Sequence, residues 1–416
     1  MHMVSTAVQG PTSGAAAAGI GATAEEERVH VRYAVFRRLT PPGGGPRGSC
    51  APWGWWQRAK IAVAAVTLLP VRAVVGLIML STFTAIAYVC ARVDGALLGA
   101  QGDLLAGPMH RRVLSPAARG FTRVFLFVLG LHRIRVSGRE HCAPPRAGSA
   151  DPGEYPAPLI VSNHVSYLDI LVHFAVSGYL CPGFLAKDGV RTAPFFGPIG
   201  RVIGCQFVAR DTNDSLGDAA AETAEKVAAA PPVATGSRGG AGASAGAGVA
   251  TAGGTMSNTG STAEMVGRLR WAEGCLAGAA RKGAQGRVGI PKPLIVFAEG
   301  TTTNGCGMLR FRTGAFVAGC RVQPVVLEYP HTHFSPSFES VSFLPHVLAF
   351  LCQFHTPCSV TFLPPRDPDG RTPREFADDV QRKMQPVVGG IVYDLTYNDK
   401  RSYHRWLRGG PAPKQA

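Results

Sequence analysis

The stretch "APLIVSNHVSYLDIL" (Ala157–Leu171) sets an apolar run against a turn that holds His164 and Asp169. Leu159–Ser162 is short, apolar and rich in branched residues, the composition of a buried strand. A few polar residues follow, then a second apolar run, as where a strand turns into a helix. At about 100° per residue, helical positions i and i+5 point roughly 140° apart, so two helical residues at this spacing would not meet. With His164 in the turn and Asp169 about one turn inside the helix, the carboxylate reaches back to the imidazole. Two readings stay open here. Either Asn163 or Ser166 caps the helix while His164 packs passively, or His164 is a base that Asp169 orients.

The same alternation of short apolar strands and helical stretches continues on both sides, which predicts an α/β domain. Candidate strands are Arg133–Val136, Leu159–Ser162, Phe184–Ala186, Gln206–Ala209, Leu294–Phe297, Pro324–Leu327 and Ser359–Leu363. Pro324 inside one of them points to an edge strand or a bulge.

Two further blocks carry polar residues at strand ends. "GFLAKDGVRTAPFFGPIGRVIGCQFVARD" holds Lys187 and delivers Arg210. Arg210 is either an ordinary strand-end arginine or a guanidinium fork for phosphate oxygens. In "PLIVFAEGTTTNG" an apolar strand runs into Glu299, Gly300 and Thr301. A carboxylate followed by a glycine, which lets backbone approach a ligand, suits the binding of polar groups; the alternative is a plain polar turn.

The 416 residues carry a net charge of +15, a pI near 9.7 and 46% hydrophobic side chains. That balance suits an anionic partner such as phospholipid head groups, a polyphosphate cofactor or nucleic acid. Finger spacings, an RNA-binding signature and a basic recognition helix are all missing, which argues against nucleic acid. The 10 cysteines form no CxxC pair and frame no zinc site, and the chain reads as one for a reducing compartment.

The first 48 or so residues, rich in Ala, Gly and Pro, lack the pattern of a secretory signal and are expected to be disordered. In "RAKIAVAAVTLLPVRAVVGLIMLSTFTAIAYVCAR", Ala73–Ala91 is uncharged and bracketed by Arg72 and Arg92. It meets the length for a membrane span, and Pro70 is expected to break or kink any helix before it. A bent hairpin in one leaflet and a buried soluble helix are the alternatives. Between about Pro231 and Thr262, Gly, Ala, Ser and Thr dominate, the composition of a flexible insertion. It contains "GASAG" around Ser244, a formal nucleophile elbow without the flanking strand and helix that such an elbow needs.

Four blocks in order, "NHVSYLD", "GCQFVAR", "FAEGTTTNG" and "VQPVVLEYP", resemble the motifs of the glycerolipid acyltransferase family (PlsC-like, with a histidine, four residues and an aspartate). "EGTTTNG", "TGAFVAG", "FSPSFESV", "LCQFH" and the tail from Phe376 to Leu407 are similar to the lysophosphatidylcholine and lysophosphatidylethanolamine branch, the tail most of all to plant-type enzymes. The resemblance implies an α/β domain with a mixed central sheet flanked by helices, preceded by a membrane-anchoring helical segment. It divides the chain into a disordered segment (1–52), an anchor region (53–119, span about 73–91), a catalytic domain (120–408, insertion at about 231–262) and a tail (409–416).

It further implies acyl transfer from acyl-CoA, as co-substrate, to the hydroxyl of a lysophospholipid, with no other cofactor and no metal. His164 and Asp169 would be catalytic, while Lys187, Arg210, Glu299, Gly300 and Thr301 would bind substrate. The membrane would be the endoplasmic reticulum, with the domain facing the cytosol. Many relatives acting on lysophosphatidate or glycerol phosphate carry an arginine after Glu-Gly-Thr; here Thr302 stands there. "DPDGRTPREF" lacks the ligand pattern of a calcium-binding EF-hand and reads as a helix start, with Thr372 as N-cap, Pro373 first and Glu375 closing a capping box. His331 and His333 read as a loop pair.

Overall fold

The computed structural model describes residues 24–37, 55–99, 104–142, 157–177, 180–192, 196–208, 262–282, 290–330 and 334–413. The expected insertion, Ser244, Arg210, His331 and His333 lie outside them. The strands are β1 Leu105–Ala106, β2 Ile134–Ser137, β3 Leu159–Ser162, β4 Gly183–Lys187, β5 Gln206–Val208, β6 Ile290–Pro291, β7 Leu294–Phe297, β8 Gly307–Leu309, β9 Val322–Glu328, β10 Cys358–Phe362 and β11 Ile391–Tyr393. The helices are α1 Ala24–Arg32, α2 Trp55–Leu98, α3 Ser115–Val128, α4 Asp169–Val176, α5 Phe196–Ile203, α6 Thr262–Lys282, α7 Phe343–Leu351, α8 Pro373–Val388 and α9 Tyr397–Leu407.

Seven strands form one mixed sheet in the order β2-β10-β9-β3-β7-β4-β5. All neighbours are parallel except β9 and β10. Strand alternation sorts the core onto two faces. Leu159 and Val161 of β3 pack with Leu294 and Val296 of β7 under α6 and α8. On the other face, Val325, Leu327 and Val360 meet Leu126 of α3, Val172 of α4 and Leu168 just before it.

Pro324 is a correction to the expected edge or bulge, because β9 lies inside the sheet between β10 and β3. Its neighbour supplies what it lacks. Leu363 N–H donates to Pro324 O at 3.0 Å, and Gln323 Nε2 donates to Leu363 O, in place of the N–H that proline cannot offer.

Asn163 extends the sheet beyond β3. Its amide donates to Leu327 O (2.9 Å) and accepts from Leu327 N–H (2.8 Å), so it caps no helix. Asn163→Ala leaves two buried backbone groups unpaired and is expected to cost about 1–3 kcal/mol, read as a lowered melting temperature.

α2 runs unbroken for 44 residues through Pro70, which removes one N–H from the ladder without ending the helix. It is apolar and long enough to cross a membrane, yet the segment expected to span is tied to the domain at both ends. Arg72 Nη1 donates to Leu351 O and Gln353 O (2.5 and 2.7 Å), where a cation meets the carboxyl end of α7. Asp94 accepts from Met109 and His110 N–H (2.9 and 2.7 Å). Phe83, Ala87 and Cys90 between them face inward, while Val74, Leu77, Ile78, Tyr88, Val89 and Val93 are exposed.

The expected disorder of residues 1–52 also needs correction, for residues 24–37. α1 and the turn after it place Val29, Tyr33, Val35 and Phe36 in a cluster with Leu309, Leu395 and Tyr403. Tyr33 stacks on Tyr403 at 5.2 Å, and His30 Nδ1 lies 3.0 Å from Tyr403 Oη. α8 starts as expected, with Thr372 and Glu375 exchanging the bonds of a capping box.

Candidate active site

β3, β7 and β9 are adjacent and parallel, so their carboxyl ends open at one edge of the sheet, the place where α/β folds bind ligands. His164 follows β3, Glu299–Asn304 follow β7, and Tyr329 follows β9. Asp169 is the first residue of α4 rather than a turn inside it.

From there its carboxylate gathers the whole turn. Oδ2 accepts from His164 Nδ1 (2.8 Å), Val165 N–H (2.7 Å) and Ser166 N–H (2.9 Å), and Oδ1 accepts from Tyr329 Oη (2.8 Å). Burial holds the Tyr329 phenol well above its ordinary range, so it serves as a donor. The Asp169 side chain is 0% exposed and that of His164 is 21% exposed. A carboxylate can only accept from Nδ1, so that nitrogen carries a proton, and in the neutral ring Nε2 is the one with the lone pair. The imidazole lies flat on the Phe297 ring, with centroids 4.0 Å apart and planes at 14°. His173, one turn along α4, is buried, and burial lowers it to about 4. It stays neutral and enclosed.

Glu299 departs from the expected substrate-binding role. It is buried, and its two oxygens accept from His164 N–H and Leu309 N–H, both at 2.8 Å. It therefore holds the backbone of His164. Burial lifts its carboxyl from 4.5 to about 8, against the opposing pull of those two N–H groups. Gly300 has φ +73°, and a Cβ there would lie 2.6 Å from Arg312 Nε, so only glycine lets Arg312 pack across the turn. Thr301 and Thr302 are buried. Lys187 ends β4, and nothing is described of its side chain.

Spacing let His164 and Asp169 meet but left their role open, and it missed Phe297 and Tyr329 beside them. Phe297 and Tyr329 had a usable signal, since each stands at the carboxyl end of a strand within the quoted blocks. Among the described residues, no group of three or more His, Cys, Asp or Glu could hold a metal ion.

The acyltransferase family model matches residues 133–236, which include the His164 turn. Lysophospholipid acyltransferase LPEAT1 of Arabidopsis thaliana is 30% identical over 413 residues, covering 92% of this chain and 88% of its own. Human lysophosphatidylcholine acyltransferase 1 is 26% identical, covering 87% of this chain and 55% of its own. The crystal structure of the 1-acyl-sn-glycerophosphate acyltransferase PlsC from Thermotoga maritima covers 76% of this chain and 96% of its own, at 16% identity and a TM-score of 0.39, too low to carry weight. Matched to the plant relative over nearly the whole of both sequences, and holding the His164–Asp169 pair at the carboxyl edge of its sheet, the chain belongs to the acyltransferase family, in the branch of these lysophospholipid acyltransferases.

Proposed function

We propose that the protein transfers a fatty acyl group from acyl-CoA to the free hydroxyl of a lysophospholipid, with His164 as general base and Asp169 as its orienting partner. The observation that carries this reading is the 2.8 Å bond from His164 Nδ1 to a carboxylate that three other donors hold in place. Nε2 takes the hydroxyl proton as that oxygen attacks the thioester carbonyl carbon. The C–O bond forms, the C–S bond breaks, and coenzyme A leaves as a thiolate that takes the proton back from the imidazolium. Asp169 fixes the tautomer and stabilises the imidazolium, as an aspartate does in hydrolase triads. Phe297 adds a ring face beneath the charge that develops. The acceptor supplies the nucleophile, so no acyl-enzyme is required. Arg210 and Lys187 are the proposed phosphate contacts.

α2 docks the protein on the membrane. Exposed apolar residues also stand on α3 (Val124, Phe127) and α7 (Phe343, Leu344), two of the helices packed beside it. This arrangement supports a helix lying along the surface; the endoplasmic reticulum, with the domain on its cytosolic side, is the membrane that the family resemblance implies.

Thr302 sets the acceptor class. Its hydroxyl is committed inward, donating to Glu339 at 2.6 Å, so no guanidinium stands there to meet a dianionic phosphomonoester. An unpaired extra charge in a closed site is costly, which favours phosphodiester head groups. In one membrane preparation with one labelled acyl-CoA, lysophosphatidylethanolamine is expected to react fastest and lysophosphatidylcholine next. Lysophosphatidate and glycerol phosphate are expected to be poor. If lysophosphatidate is the best acceptor, the argument from Thr302 is wrong.

A further inference from the structure

The turn after Glu299 is gripped from outside the sheet by Lys400 and Glu339, which lie in the branch-like tail and in "FSPSFESV" rather than in the four family blocks. Lys400, on α9, is buried with its ammonium 2.8 Å from both Thr302 O and Thr302 Oγ1 and 2.6 Å from Glu339 Oε1. The Glu339 side chain is 0% exposed, and its other oxygen lies 3.7 Å from His404 Nε2. Burial lowers His404 to about 4, so it is neutral and Lys400 is the cation that answers Glu339.

The segment carrying Glu339 is itself stitched to the catalytic turn. Ser166 Oγ donates to Pro336 O (2.8 Å), and Ser337 Oγ donates to Thr303 O (3.0 Å). Thr303 N–H then donates to His164 O at 2.8 Å. On the far side, Asn304 Nδ2 donates to Ala34 O and Arg37 O (2.7 and 2.8 Å), and Phe36 lies under the Lys400 ammonium at 5.7 Å. His164 is thus held through its N–H by Glu299 and through its C=O by Thr303. The second hold is anchored by an ion pair.

We propose that Lys400 is a positioning residue for acyl transfer, acting with Glu339 through Thr302 and Thr303 to fix the backbone of His164. This rests on the reading of His164 as the base. A displaced base slows the chemical step while leaving the ground-state contacts of both substrates, so the effect belongs in kcat rather than KM.

The test compares Lys400→Met and Glu339→Gln/Lys400→Met in the full chain, with wild type and His164→Ala assayed alongside. The single variant leaves a buried carboxylate unpaired and can fail to fold. The double variant removes both charges and keeps the question answerable. At temperatures well below each variant's melting point, kcat is expected to fall about 10- to 100-fold, the scale of a small misplacement of a reacting group. KM for acyl-CoA and for lysophosphatidylethanolamine should stay within about 3-fold, as expected when only the chemical step suffers. Tyr403→Phe, which removes a contact of the same helix away from the ion pair, should leave kcat unchanged. Equal losses in Tyr403→Phe and the double variant, a rise in KM alone, or an unchanged kcat in the double variant would each overturn the proposal. An inactive wild type would instead overturn the acyltransfer reading on which it rests.

Discussion

His164→Ala is expected to lower turnover by at least about two orders of magnitude, the usual scale for removing a general base. Protein level and membrane association should persist, because the imidazole lies at the rim of the site and its backbone bonds to Glu299 and Thr303 do not need the side chain. Asp169→Asn should fall in the same range for a different reason. An amide nitrogen facing Nδ1 reverses the tautomer preference, and two backbone N–H groups and the Tyr329 hydroxyl also meet the altered group. Initial rates across acyl-CoA concentrations, on membranes matched for protein content, check both. Near-normal turnover in His164→Ala would end the mechanism as drawn.

Glu299→Gln is the second large effect. Both carboxyl oxygens accept a backbone N–H, the protonated one through its remaining lone pair, whereas an amide has one acceptor and turns its NH2 against the other donor. An unsatisfied buried donor costs about 1–3 kcal/mol, and since one of the two belongs to His164 the loss should appear as about 10- to 100-fold in kcat. The same residue gives the fold a pH dependence. Its folded value is raised to about 8 from 4.5, so between those values the folded chain holds a proton that the unfolded chain has lost. Its contribution is fully present below about pH 4.5 and fades as pH rises through about 8. Melting temperatures taken across that window should fall with pH in wild type and show a shallower fall in Glu299→Gln. Parallel curves would assign the slope to other groups.

The meeting of His164 with Asp169 and the strands that present the pair were legible because their signals are local. β3 and β7 are unbroken apolar runs that stop at a polar turn, and the structure bounds both as the sequence suggested. The capping box at Thr372 is equally local, four residues from Thr372 to Glu375. What escaped depends on partners far away in sequence. Pro324 argues against an interior strand until Gln323 is seen to donate in its place. α1, "AEEERVHVR", looks too polar to fold, and its few apolar residues acquire meaning only against Tyr403 and Leu309. Glu299 reads as a ligand-facing carboxylate, and only the registered pairing of Phe297 with Ser162 turns it toward the backbone of His164. Glu339 and Lys400 are single polar residues 61 positions apart, with no spacing rule to join them.

The docking of α1 on α9 joins residues 373 apart, as His30 meets Tyr403. A ribosome releases α2 long before it makes Lys400, and chains fold from the first-made end as they emerge. The long apolar helix is therefore made while the turn beside His164 still lacks its outer clamp, since Lys400 is the residue that binds Thr302 and Glu339. The last contacts the growing chain can complete are those that fix the backbone around His164.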